Sequence, residues 1–277
     1  MQYSIQRRFL VGIGGFGIAL AALTIGAVAC TEETAGESIE FDTGVTGASS
    51  TGGSVTRFVN ARDWSVELTS AKVAIGPAYF YSSAPQATWV DKLLGVRVAH
   101  ACPAHAQYDR GTVLGEILQQ YVIDLTSGEV TSTGISAGEA GVCQMFEVHL
   151  HPPGDVPAGS PGAEFSDLHG STAWIAGTAT KDGEVIEFEG GMTVPDEGTM
   201  RIVESIPADV NLADSADRSG RAIVEVYLDQ WLANVDFASL PESSNGAARV
   251  FDPDSQAYSA WLTGIRSRYA YGLSWRN

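Results

Sequence analysis

The chain has 277 residues, 33 acidic against 16 basic, and a formal net charge of −17. Phosphate backbones are held by clustered Lys and Arg, so this balance excludes nucleic acid as a partner and disfavours anionic lipid surfaces. Only 3 Cys and 5 His occur, few enough that where they stand carries information.

Arg7 and Arg8 precede an uncharged, Gly/Ala-rich stretch over residues 9–29 that ends in Gly26-Ala27-Val28-Ala29-Cys30. Small residues before a cysteine resemble the bacterial lipobox, and residues 1–29 are expected to be a lipoprotein signal peptide with Cys30 as the lipidated residue. A cleaved signal without lipid and a retained apolar anchor are the alternatives. Arg7-Arg8-Phe9-Leu10 resembles a twin-arginine signal at imperfect spacing. Gly12-Ile13-Gly14-Gly15-Phe16-Gly17 fits a nucleotide fingerprint but has no strand before it and no acid at the required distance. Residues 30–57 are rich in Glu, Thr, Gly and Ser and predict a flexible tether, because they hold little apolar surface to offset chain entropy.

From residue 58 onward the apolar period is mainly two. Trp64, Val66 and Leu68 alternate with polar neighbours, as on a half-buried strand. Residues 73–75 and 78–81, either side of Gly76-Pro77, predict two more buried strands. Residues 113–125 fit helix or strand, with strand favoured for the second half. Residues 172–194 predict a hairpin around Asp182-Gly183, where positive φ is needed for a tight turn. Residues 200–206 and 222–228 are further strands. Near the end, Tyr258, Trp261, Leu262 and Ile265 form a helical stripe, with Asp254 or Ser255 as cap. The fold expected is an antiparallel β-sandwich with a C-terminal helix, one domain over 58–277.

Two stretches carry candidate chemistry. Residues 98–111 hold His100, Cys102 and His105 around Pro103. Residues 142–151 sort by parity into Val142, Gln144, Phe146, Val148 and Leu150 on one face, and Cys143, Met145, Glu147, His149 and His151 on the other, taken as the solvent face. With Cys30 assigned to lipid, Cys102 and Cys143 remain as a pair, expected to form a disulfide in an oxidising envelope. That bridge would bring His100 and His105 towards His149 and His151, a set that with Met145 suits copper or zinc. The alternatives are thiolate ligation and ordinary exposed histidines.

Gly134-Ile135-Ser136-Ala137-Gly138 satisfies G-x-S-x-G, but a nucleophile elbow needs a buried strand before and a helix after. Neither is predicted here; the segment reads as a hairpin or surface loop, and no catalytic residue is assigned. Tyr79, Phe80, Tyr81 and Trp89 are an aromatic cluster that fits core or a binding groove.

The run Val66-Glu67-Leu68 through Ala71-Lys72-Val73-Ala74-Ile75-Gly76-Pro77-Ala78-Tyr79-Phe80-Tyr81, the His100–His105 loop with Tyr108-Asp109-Arg110-Gly111, and Val122-Ile123-Asp124-Leu125 together resemble envelope lipoproteins of myxobacterial type. More distantly, this layout over residues 58–230 is similar to periplasmic copper-binding MbnP-like domains. The resemblance implies a β-sandwich in the cell envelope and, in some members, copper. It places no ligand on a particular residue here. The expectation is an exported bacterial envelope lipoprotein, periplasm-facing or surface-exposed, that binds copper or zinc for storage, delivery or sensing. It touches the membrane through its N-terminal lipid and is not an enzyme. The alternative is a structural or partner-binding surface lipoprotein without metal, with an envelope protein as its partner.

Overall fold

The computed structural model describes residues 38–82, 111–151, 165–212, 220–242 and 248–276. Its strands are β1 (Ser38–Ala48), β2 (Arg57–Val59), β3 (Ser65–Tyr81), β4 (Val113–Ile117), β5 (Tyr121–Asp124), β6 (Thr131–Glu139), β7 (Val142–Leu150), β8 (Ala173–Lys181), β9 (Glu184–Met192), β10 (Ile202–Asn211) and β11 (Arg221–Tyr227). A one-turn helix α1 (Leu228–Trp231), β12 (Arg249–Val250), helix α2 (Gln256–Ile265) and β13 (Tyr271–Arg276) follow. The molecule is mainly β and sandwich-like, as expected.

One sheet runs β13-β11-β1-β6; the other runs β10-β7-β3-β8-β9-β12, with β2, β4 and β5 also bonded to β3. The 17-residue β3 is the spine of the second sheet. At roughly 3.3 Å per residue it is long enough to serve several partners end to end. Along one flank it pairs with β8 through residues 65–73 and with β7 through residues 75–81. Along the other it meets β2, β5 and β4 in turn. The two runs expected either side of Gly76-Pro77 are therefore one strand, interrupted by a bulge between Ile75 and Ala78. Gly76 has φ +118°, and a Cβ there would lie 2.3 Å from the Gln119 carbonyl oxygen, so only glycine lets the β4–β5 turn close on β3.

Pairing is antiparallel except for β1 with β11 and the short β12 with β9. Buried side chains of both sheets and of α2 form one cluster, with Phe41 and Val45 from one sheet, Val66, Phe80 and Phe146 from the other, and Trp261 from the helix. On the opposite side of β3, Ala74, Val122 and Leu168 make a small second cluster with Trp174 packed on it.

The tether expected over residues 30–57 is corrected for residues 38–48. Residues 38–48 form β1, an inner strand held by β11 on one side and β6 on the other. Small residues are required there by close packing: a Cβ on Gly47 would lie 1.9 Å from the Leu125 carbonyl oxygen. The buried hydroxyl of Thr43 donates to Gly134 O at 2.9 Å and accepts from Thr133 Oγ1 at 2.8 Å, so polarity does not oppose burial. The compact unit spans Glu37–Asn277, and its boundary lies well before residue 58.

The hairpin is as expected, with Asp182 at φ 52° and Gly183 at φ 87°. Ser255 caps α2, its Oγ accepting from Tyr258 N–H at 3.1 Å. That helix buries Ala257, Trp261 and Ile265, and the chain then continues into β13, which pairs with β11. No helix among the described residues is long and apolar enough to cross a membrane. The signal peptide and Cys30 lie outside the described residues.

Candidate functional site

Alternation along β7 and its register with β3 build the site. Tyr81 faces Met145, Phe80 faces Phe146, Tyr79 faces Glu147 and Ala78 faces Val148. Phe80 and Phe146 meet in the core with ring centroids 6.4 Å apart. The other parity therefore gathers Tyr79, Tyr81, Met145, Glu147, His149 and His151 on the sheet's far side.

On that side the rings form a continuous row. Tyr79 and Tyr81 are 6.5 Å apart, Tyr79 meets His149 edge-on at 5.8 Å, and His149 and His151 stack at 5.9 Å with 13° between their planes. Glu147 Oε1 lies 3.3 Å from His149 Nε2. A carboxylate in that position accepts a hydrogen bond from the Nε2–H tautomer of the ring. The Tyr79 hydroxyl is held above its ordinary ionisation range, chiefly by burial and secondarily by the charge of Glu116 on the neighbouring β4.

This face was expected to be open to solvent, and it is not. Glu147 is 1% exposed, and the His149 side chain 15%. Both ring nitrogens of His151 are buried. The exposed residues of the strand are instead Val142 and Gln144 at its start. A strand's own pattern cannot distinguish these cases, because residues of both parities are buried, Phe146, Val148 and Leu150 on one face and Glu147 on the other.

Cys143 is a free thiol, fully buried, with its Sγ 3.2 Å from Met145 O. Its side chain packs in the main core cluster. Burial pushes its ionisation up to about 11, which makes it a poor nucleophile and a poor ligand at neutral pH. Its expected partner Cys102, together with His100 and His105, lies outside the described residues. Met145 is half-buried further down the face, roughly 13 Å from His149 at Cα. Among the described residues no three His, Cys, Asp or Glu side chains converge as a metal-binding set.

Two imidazoles on one strand face nevertheless suit a borderline ion. With metal–nitrogen bonds near 2 Å, a shared ion needs ligand nitrogens within about 4 Å of each other and lone pairs that converge, so the near-parallel rings would have to turn to share one.

The G-x-S-x-G run lies wholly within β6, an extended strand and not the loop expected. No helix follows it, and Ser136 is 2% exposed with its Oγ accepting Glu116 N–H at 2.8 Å, so the elbow geometry is absent. His169 is exposed and lies against Trp174 with centroids 4.3 Å apart.

Reasoning from sequence missed the contribution of Tyr79 and Glu116 to the site. The signal was present as parity, since Tyr79-x-Tyr81 and Glu147-x-His149-x-His151 both alternate, but which strands pair was not readable. No protein family, curated protein or solved structure matches the chain.

Proposed function

We propose that the chain is a cell-envelope lipoprotein, tethered by lipid on Cys30, whose sandwich binds copper or zinc for storage, delivery or sensing. The observation that carries this reading is the stacked His149–His151 pair backed by the buried carboxylate of Glu147. Buried imidazoles with a carboxylate behind one of them are the arrangement in which a ligating histidine is held in one tautomer and one orientation. His100 and His105 are proposed to complete the ligand set; Met145, four residues from His149 along the strand, lies too far to share the same ion. The metal would be held by neutral imidazole nitrogens, and the aromatic wall of Tyr79 and Tyr81 would limit access of water.

Metal analysis of the protein purified without a histidine tag tests the reading. One equivalent of copper or zinc is expected in the wild type, and none in the His149→Ala/His151→Ala or His100→Ala/His149→Ala variants. Metal-free wild-type protein that stays metal-free after incubation with either ion would overturn it. Incorporation of labelled palmitate, abolished by Cys30→Ala, tests the anchor separately.

A further inference from the structure

We propose that the cleft between the β4–β5 turn and β6 binds a small amphipathic amine, an ammonium group joined to one apolar ring or short alkyl chain. The cleft holds about 400 Å³ and is lined by residues 116–119, by Tyr121 and by residues 133–137. Two side-chain hydroxyls tie its floor together. The Tyr121 hydroxyl donates to Thr133 O at 2.5 Å, and Ser136 Oγ accepts from Glu116 N–H at 2.8 Å. These bonds hold the β4–β5 turn and β6 at a fixed separation, so the cavity is preformed. Gly134 keeps it open: its φ is +99°, and a Cβ there would meet only the Tyr121 hydroxyl, at 3.9 Å.

Three observations set the chemistry of the ligand. Leu118 and Ile135, one from the turn and one from β6, are 63% and 71% exposed, and one apolar group seated between them would cover both. Glu116 is the single charged group among the described lining residues, with no Lys, Arg or His beside it. An ammonium gains a carboxylate partner there, whereas a carboxylate or phosphate would lose water without meeting a counter-charge. The third is the floor. The Tyr121 hydroxyl has one proton, given to Thr133 O, so its oxygen meets a ligand only as an acceptor. Gln119 Oε1 lies 3.2 Å from the same oxygen and is left as a second acceptor. Both call for a donor, which an ammonium supplies. The cavity is near the small end of ligand pockets, which hold roughly 300–1,000 Å³, and this limits the apolar part to one ring or a short chain. No histidine of the proposed metal site lines it.

The test is backbone amide NMR of the full chain titrated with phenethylamine at neutral pH. Two controls accompany it: hydrocinnamate, which carries the same ring on a carboxylate, and methylamine, which lacks the ring. Saturable shifts confined to residues 116–121 and 133–137, with a dissociation constant on the order of 0.1–1 mM, are expected for phenethylamine only. Binding should weaken about tenfold in the Leu118→Asn/Ile135→Asn variant, whose exposed substitutions keep the melting temperature, and about fivefold in Glu116→Gln. It should be unchanged in the His149→Ala/His151→Ala variant. Absence of saturation to about 10 mM, equal binding of either control, or undiminished binding by the Leu118→Asn/Ile135→Asn variant would overturn the proposal. So would shifts centred outside the cleft, or binding lost with the two histidines.

Discussion

Glu147 is nearly solvent-free yet lies 3.3 Å from an imidazole nitrogen, which ties the conformation of His149 to a single carboxylate. Replacing it by glutamine keeps the shape and removes the charge. On the proposed function, Glu147→Gln should weaken copper or zinc affinity roughly 10–100-fold while the protein stays folded, as a competition titration with a chromophoric chelator would read. Ser255→Ala acts at the same scale on stability alone. Losing the acceptor for Tyr258 N–H should cost about 1 kcal/mol, measured as a lower urea midpoint with unchanged slope. The cap was legible in the sequence because a Ser just before an apolar helical stripe is a local signal. Gly47 was not, because its requirement comes from a carbonyl 78 residues away in sequence, at Leu125.

Among elements, β1 is the most instructive. Its Gly- and Thr-rich composition matches that of flexible chain, yet Phe41, Thr43 and Val45 alternate into the core and the hydroxyls find partners. Composition averages over a window, whereas burial is decided residue by residue through pairing with β6 and β11, which no local pattern announces. A chain starting at residue 37 should therefore melt cooperatively. One starting at residue 49 should lose its near-ultraviolet circular dichroism, because an inner strand is gone and two sheet edges are left unpaired. Equal melting of the two would show that β1 is dispensable. The Asp182-Gly183 hairpin and α2 were legible for the opposite reason, since their signals lie within the segments themselves. The length and bulge of β3 were not, because Gly76-Pro77 looks like a chain reversal until the β4–β5 turn is seen to need the space beside it.

At the scale of the whole molecule, burial of neutral acids sets a response to alkali. Burial raises Cys143 to about 11. Tyr227 reaches about 12 through burial and then the charge of Glu225. Tyr79, Tyr121 and Tyr271 are also raised, chiefly by burial. These groups ionise near 9 for the thiol and 10 for the phenols when unfolded. Below that range both states hold the same protons and the stabilisation is fully present. Above it the unfolded chain releases protons first, so stability falls as pH rises through the folded-state values. Urea midpoints should be flat up to about pH 8.5 and decline steadily between about 9 and 11. A midpoint that climbs across that interval would contradict the burial of these groups.

The sandwich itself was readable from period-two patterning, and so was the shared parity of His149 and His151, but the enclosure of their face depends on tertiary packing that the strand's own residues do not encode. The most direct test of the central claim is therefore histidine side-chain nitrogen NMR of the full chain during titration with zinc. The account predicts that the first equivalent shifts His149 and His151 together, while His169 is unmoved. Zinc that moves His169 first, or leaves the imidazole pair unchanged, would contradict it.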